Sequence, residues 1–162
     1  MALTPSTKGA IAEAAIAAAA IKLGVVVLRP LLEGRRYDLM FDVDGLLLRV
    51  QCKWACRKGD VVVVNIRTSR LTPRGYVSTT YAASEVDAIA AYCAELDECY
   101  LVPIDEVAGQ HVVHLRLAPA ANRQELAIRY AASYRLPGAI AQLGERRAGS
   151  AKVEGSSPSS ST

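Results

Sequence analysis

Residues 37–54, YDLMFDVDGLLLRVQCKW, hold the dipeptide Asp44-Gly45 between two runs that alternate apolar and polar side chains. Asp-Gly suits a two-residue hairpin turn whose residues both need positive φ, so antiparallel strands are expected over 36–43 and 46–55. Such a turn also fixes the register. Val43 faces Leu46, and counting outward places Asp38 opposite Gln51. Alternation then puts Tyr37, Leu39, Phe41, Val43, Leu46, Leu48, Val50, Cys52 and Trp54 on a core face. Asp38, Met40, Asp42, Leu47, Arg49, Gln51 and Lys53 share the other face, bringing a carboxylate, an amide and an ammonium within cross-strand reach.

The rest of the chain supplies elements to enclose this hairpin. Residues 8–23 are alanine-rich and favour a helix, with Ser6 or Thr7 as N-cap and Gly24 as its stop. Residues 25–30 read as a short strand or extended connector, and after a turn at 57–60 a third strand follows over 61–67. Residues 70–83 form a polar loop. Ser84 caps an expected helix over 85–96, with Asp87 at its N3 position, and strands follow at 99–104 and 111–117. A final amphipathic helix is expected over 121–134, with Leu126, Tyr130 and Tyr134 on one stripe. With 162 residues and 51% apolar content, the chain can bury one core of its own, and the mixture of elements makes it α/β.

Several function classes are disfavoured. The alanine-rich run is broken by Glu13 and ends at Lys22, too short to cross a bilayer and poorly built as a secretory signal, so a soluble, cytoplasmic protein is expected. Cys52, Cys56, Cys93 and Cys99 sit in apolar patterns and read as reduced, packed thiols; their spacing does not suit zinc. His111 and His114 fall on opposite faces of one strand. No glycine-rich phosphate loop or nucleophile triad is present. The net charge of +3 does not by itself select a nucleic-acid partner.

The facing polar group is suited to phosphodiester hydrolysis. A carboxylate beside an amide or a backbone carbonyl offers the oxygen ligands Mg²⁺ prefers, and a lysine can act on the attacking water and on charge growing at the phosphate. Glu13, the one acid in the alanine-rich helix, would complete the site if that helix packs on the hairpin. Glu13, Asp38 and Gln51-Cys52-Lys53 resemble the PD-(D/E)xK nuclease superfamily, in particular its group I intron-associated homing endonucleases, where glutamine takes the place of the second acid. The likeness continues through EVDAIAAYCAELDECYLVPID and NRQELAIRYAASY and spans roughly residues 6–135.

This resemblance implies a restriction-endonuclease-like αβββαβ core, a mixed sheet flanked by helices, with Mg²⁺ as cofactor and cleavage of double-stranded DNA as the activity. Catalytic roles fall on Glu13, Asp38, Gln51 and Lys53, and metal ligation on Asp38, the Cys52 carbonyl and Glu13. Tyr37 replaces the motif's proline. Gln51 removes a charge that would bind metal. A homo-oligomer, dimer or tetramer, would let two sites address two strands. Arg67, Arg70, Arg74, Thr72, Ser78 and Thr79, with Tyr76 and Tyr81 among them, are candidates for DNA contact. A junction-resolving nuclease and a catalytically silent DNA-binding module are the alternatives.

From Gly138 the sequence turns glycine- and serine-rich, so residues 1–137 are taken as the nuclease-like domain and 138–162 as a tail, disordered or partly helical at its start. Ala-Gln-Leu-Gly-Glu is what GCT CAG TTG GGA GAG encodes, a tRNA D-arm, and Gly-Ser-Ser-Pro what GGT TCG AGT CC encodes, a T-arm. The tail corresponds to about 75 nucleotides, close to a whole tRNA gene.

Overall fold

In a computed structural model of the chain, residues 2–32, 34–119 and 128–154 are described. Thr4, rather than Ser6 or Thr7, caps the first helix: its Oγ1 accepts the Thr7 N–H at 3.1 Å, and Pro5 opens the helix where a missing N–H costs nothing. This helix, α1 (Pro5–Lys22), buries Ala12, Ile16 and Ala20. Gly24, at φ 81°, turns the chain into β1 (Val26–Leu28). Strands β2 (Leu39–Val43) and β3 (Leu46–Lys58) meet at the Asp44-Gly45 turn, whose φ values of 53° and 86° are both positive, as this turn type requires. The register is the expected one, from Val43 opposite Leu46 to Leu39 opposite Val50.

Strand β3 organises the molecule. Its start pairs with β2 and its end with β4 (Val61–Asn65), both antiparallel and both along the same edge. Its other edge pairs in parallel with β7 (Ala88–Cys93), from Val50–Ala88 to Ala55–Cys93, which makes the sheet mixed. Strand β8 (Glu98–Pro103) adds to β7, and β9 (Val112–Arg116) adds to β4, giving seven strands among the described residues. Between β4 and β7 the chain forms a separate two-stranded ribbon, β5 (Thr68–Thr72) and β6 (Gly75–Thr79), where the sequence reads as a loop.

Two cores fill the two faces. On one, α1 and α2 (Leu136–Glu154) cover Leu39, Phe41, Leu48, Val50, Cys52, Ala88, Ala90 and Leu101. On the other, Val62, Val64, Tyr81, Ile89, Ala91, Tyr100 and Val102 pack together.

Three expectations are corrected. The segment expected as a helix over 85–96 contains strand β7 instead: Ala88 to Ala91 are all fully buried, on alternating faces, and that burial overrides alanine's helix propensity. The tail from Gly138, expected to be disordered or partly helical at its start, is helical as far as Glu154 in α2; Leu136, Ala139, Ile140 and Leu143, one stripe at helical spacing, are buried against the sheet. Tyr37, ahead of the regular strand, packs on the second core and not with Leu39. The helix expected over 121–134 lies outside the described residues as far as 127; Ala131–Tyr134 form a short 3₁₀ turn. Among the described residues no helix is long and apolar enough to cross a membrane.

Candidate active site

The site sits where β3 changes partners. The β2 ladder ends at Leu39–Val50 and the β4 ladder begins at Ala55–Val64, so residues 51–54 of β3 have no strand beside them on that edge. A strand residue's N–H and C=O point to one edge, and those of Cys52 point into this gap, because the Val50 carbonyl, two residues back, accepts the Asp38 N–H at 3.0 Å there. The unpaired Cys52 N–H must find an acceptor. It donates to Asp38 Oδ2 at 2.8 Å. Gln51 Nε2 donates to the same oxygen, so the two side chains meet, although β2 starts at Leu39 and not at 36 and Asp38 lies one residue outside its ladder with β3. Asp38 Oδ1 accepts no hydrogen bond among the described residues.

Burial raises the Asp38 pKa above the ordinary carboxyl value, and the charge of Glu13 adds to it, against the opposing Cys52 N–H, Lys53 charge and Gln51 amide. Lys53 is held below the usual lysine pKa chiefly by burial, with the Arg36 charge acting the same way and Asp38 opposing. Its Nζ lies 5.2 Å from the centre of the Tyr81 ring.

Glu13 reaches the site from α1. It lines one open cleft of about 420 Å³ with Asp38, Arg29, Arg35 and Tyr37, and its carboxylate is ion-paired to Arg29. Glu13, Asp38, Gln51, the Cys52 backbone and Lys53 therefore gather around one gap in the sheet. Among the described residues no group of three or more His, Cys, Asp or Glu side chains is placed to hold a metal. His111 and His114 line different cavities. The four cysteines are free thiols.

Arg49 does not pair with Asp38. Asp87, expected at a helix N-terminus, takes it: Asp87 Oδ2 accepts the Arg49 N–H at 2.8 Å and Nε at 3.0 Å, Oδ1 accepts a terminal guanidinium nitrogen at 3.1 Å, and the Asp87 N–H donates to the Arg49 carbonyl. This clamp fastens the start of β7 to β3 and leaves Asp38 to the gap.

The six candidate DNA-contact residues lie in or next to the ribbon. Arg67 precedes it, Arg70 pairs with Val77 in its ladder, and Arg74 is at its exposed tip. The Thr72 hydroxyl donates to the Gly75 carbonyl at 2.8 Å and that of Thr79 meets Thr68 Oγ1 at 2.6 Å, so both serve the ribbon itself. Ser78 lines a cavity at its foot with Arg36 and Glu85. Tyr76 is 80% exposed, whereas Tyr81 is 3% exposed and belongs to the core.

Sequence reasoning missed Arg29 and Arg36, and gave Tyr81 and Asp87 other roles, DNA contact and a helix cap. None lies in a periodic segment from which its partner could be counted.

The chain is also similar to known proteins. The family model described as PD-(D/E)XK endonuclease matches residues 3–137. Among solved structures, that of a bacterial homing endonuclease, I-Ssp6803I, is similar at 33% sequence identity and TM-score 0.70, over 90% of this chain and 97% of that one. No curated protein sequence matches.

Proposed function

Because the chain belongs to the PD-(D/E)XK endonuclease family, we propose that it is a Mg²⁺-dependent endonuclease of double-stranded DNA, of the homing, intron-associated type, with its centre at the β3 gap. The observation that carries this is the convergence of Asp38, Gln51 and the Cys52 backbone at that gap, with Lys53 beside them. The similar structure belongs to a homing endonuclease, which favours that type over a junction resolvase.

The donor set fits the ion. Asp38 Oδ1, the Gln51 amide oxygen and the Cys52 carbonyl are all oxygens, and Mg²⁺ is commonly bound through one or two carboxylates plus waters and substrate phosphate. Bound there, the ion would supply Lewis-acid stabilisation at the phosphate and a more acidic water.

The chain's own residues do the rest. Gln51 and the Cys52 N–H fix the Asp38 carboxylate through Oδ2, and Oδ1 accepts no hydrogen bond among the described residues. Lys53, whose burial disfavours the ammonium relative to a free lysine, is placed to exchange a proton with water in the gap, and its ammonium form would donate to phosphate oxygen. Glu13, held by Arg29, adds negative charge at the cleft wall. The ribbon, narrow enough for a major groove, would offer Arg67 at its base and Arg74 at its exposed tip to phosphates. Two copies in a homo-oligomer would cut both strands, and the tRNA-like coding of residues 138–162 fits a gene at a tRNA locus.

Cleavage of supercoiled DNA carrying tRNA genes, with Mg²⁺ and with EDTA, tests the proposal. Metal-dependent cutting that Asp38→Ala and Lys53→Ala abolish supports it, and equal cutting by both variants rejects it.

A further inference from the structure

Lys53 has no hydrogen bond or ion pair of its own within bonding distance among the described residues. What stands against its ammonium is the Tyr81 ring, 5.2 Å from Nζ to the ring centre. Tyr81 is 3% exposed, buried in the second core, so its ring is a fixed surface. A second cation shares that ring: the Arg36 guanidinium carbon lies 4.4 Å from its centre.

Arg36 is itself held on several sides. Its Nε faces Glu85 Oε1 at 3.0 Å, one terminal nitrogen donates to the Thr80 carbonyl at 2.6 Å, and the other donates to Thr68 Oγ1 at 3.3 Å. Thr68 opens β5 and Thr80 follows β6, so Arg36 ties together the two legs of the ribbon. Glu85 is in turn fixed by the Ala82 N–H at 3.1 Å.

We infer that Tyr81 and Arg36 are positioning residues for Lys53: the buried ring holds the lysine ammonium in the β3 gap, and Arg36 fixes the ring at the foot of the ribbon. This rests on the nuclease reading above. A lysine carries four rotatable bonds, and a site that needs its nitrogen at one place must restrain them. Charged groups around Lys53 are Asp38 and Arg36, with the Cys52 thiol beside them. Asp38 attracts the ammonium, but no hydrogen bond or ion pair joins the two among the described residues, whereas the ring face stands 5.2 Å from Nζ.

The role belongs to the face of the ring, not to the hydroxyl. Tyr81→Phe therefore keeps the wild-type rate. Tyr81→Leu lowers kcat about tenfold, the scale of one cation–π interaction, while the affinity for DNA in EDTA is unchanged. Arg36→Gln, which keeps a donor for the Thr80 carbonyl but takes the charge off the ring, gives a second route to the same fall in kcat if the leucine variant fails to fold. A readout independent of cutting is the ring-current shift of the Lys53 ε-methylene in ¹³C-lysine-labelled protein, identified by its disappearance in Lys53→Ala. It stays in Tyr81→Phe and moves to an ordinary value in Tyr81→Leu or Arg36→Gln.

Wild-type kcat in folded Tyr81→Leu or Arg36→Gln, an unchanged Lys53 ε-methylene shift in either, or a reduced rate in Tyr81→Phe would each overturn the inference while leaving the nuclease standing. A wild-type protein that cuts no DNA overturns the nuclease reading, and the inference with it.

Discussion

Asp38 combines two demands that pull against each other. Metal binding needs the carboxylate ionised, and burial disfavours that form. A carboxyl whose pKa is higher folded than unfolded stabilises the fold when protonated, a contribution that disappears as pH rises through the folded value. Asp38→Asn, which keeps an acceptor for Cys52 and Gln51, should therefore unfold at a higher temperature than wild type at pH 7 in EDTA. Its DNA cleavage should fall on the order of 10³-fold or more, as removal of metal-assisted stabilisation worth several kcal/mol requires. An unfolding midpoint below wild type would contradict the first statement. Gln51→Glu should behave oppositely, since a second carboxylate against Asp38 costs about 1–2 kcal/mol without metal; Mg²⁺ should raise its melting temperature more than that of wild type. These residues were legible because a two-residue turn fixes register and register fixes who faces whom. Arg36 and Tyr81 were not, because their partners lie across irregular segments that no counting rule reaches.

At the scale of elements, β7 and α2 show where local pattern and tertiary context part. AIAAYC has helix-forming alanines, and only burial on both faces beside β3 makes it a strand; Asp87, which looks like a cap, is the clamp on Arg49. Asp87→Ala should cost about 1–3 kcal/mol in urea unfolding, because it leaves the Arg49 N–H and Nε without their acceptor, although the terminal nitrogens keep the Ser84 and Ala83 carbonyls. Helix α2 was hidden by a cut made at Gly138, which separated Leu136 from Ala139, Ile140 and Leu143, although their spacing is helical. Leu143→Ala should cost about 2–4 kcal/mol. The helix is also pinned by charge. Burial works to raise the Glu106 carboxyl, but hydrogen bonds from Tyr134 at 2.6 Å and Arg146 at 2.8 Å, with the Arg129 charge, outweigh it and hold it below its ordinary value. That stabilisation is present above the unfolded pKa and is lost as pH falls through the folded one. Hydrogen exchange in α2 should accelerate over that acid window in wild type and show no such step in Glu106→Gln.

For the whole molecule, the mixed sheet leaves an opening between β2 and β4 along one edge of its central strand, and Asp38, Gln51 and Lys53 gather there. The fold class was legible from the Asp-Gly hairpin and the family likeness; the forked pairing of β3, which makes the gap, depends on residues distant in sequence. The ribbon stands apart from the sheet, so Arg67→Ala and Arg74→Ala should weaken DNA binding without changing the melting temperature. Each arginine removed from a phosphate should flatten the slope of log affinity against log salt by about one. The most direct test of the central claim is the cutting of supercoiled plasmids bearing the host's tRNA genes by purified wild type and Asp38→Ala, in Mg²⁺ and in EDTA. The account predicts discrete cleavage by wild type in Mg²⁺ alone. Cleavage that persists in EDTA or in Asp38→Ala, or DNA left intact by wild type under every condition, would contradict it.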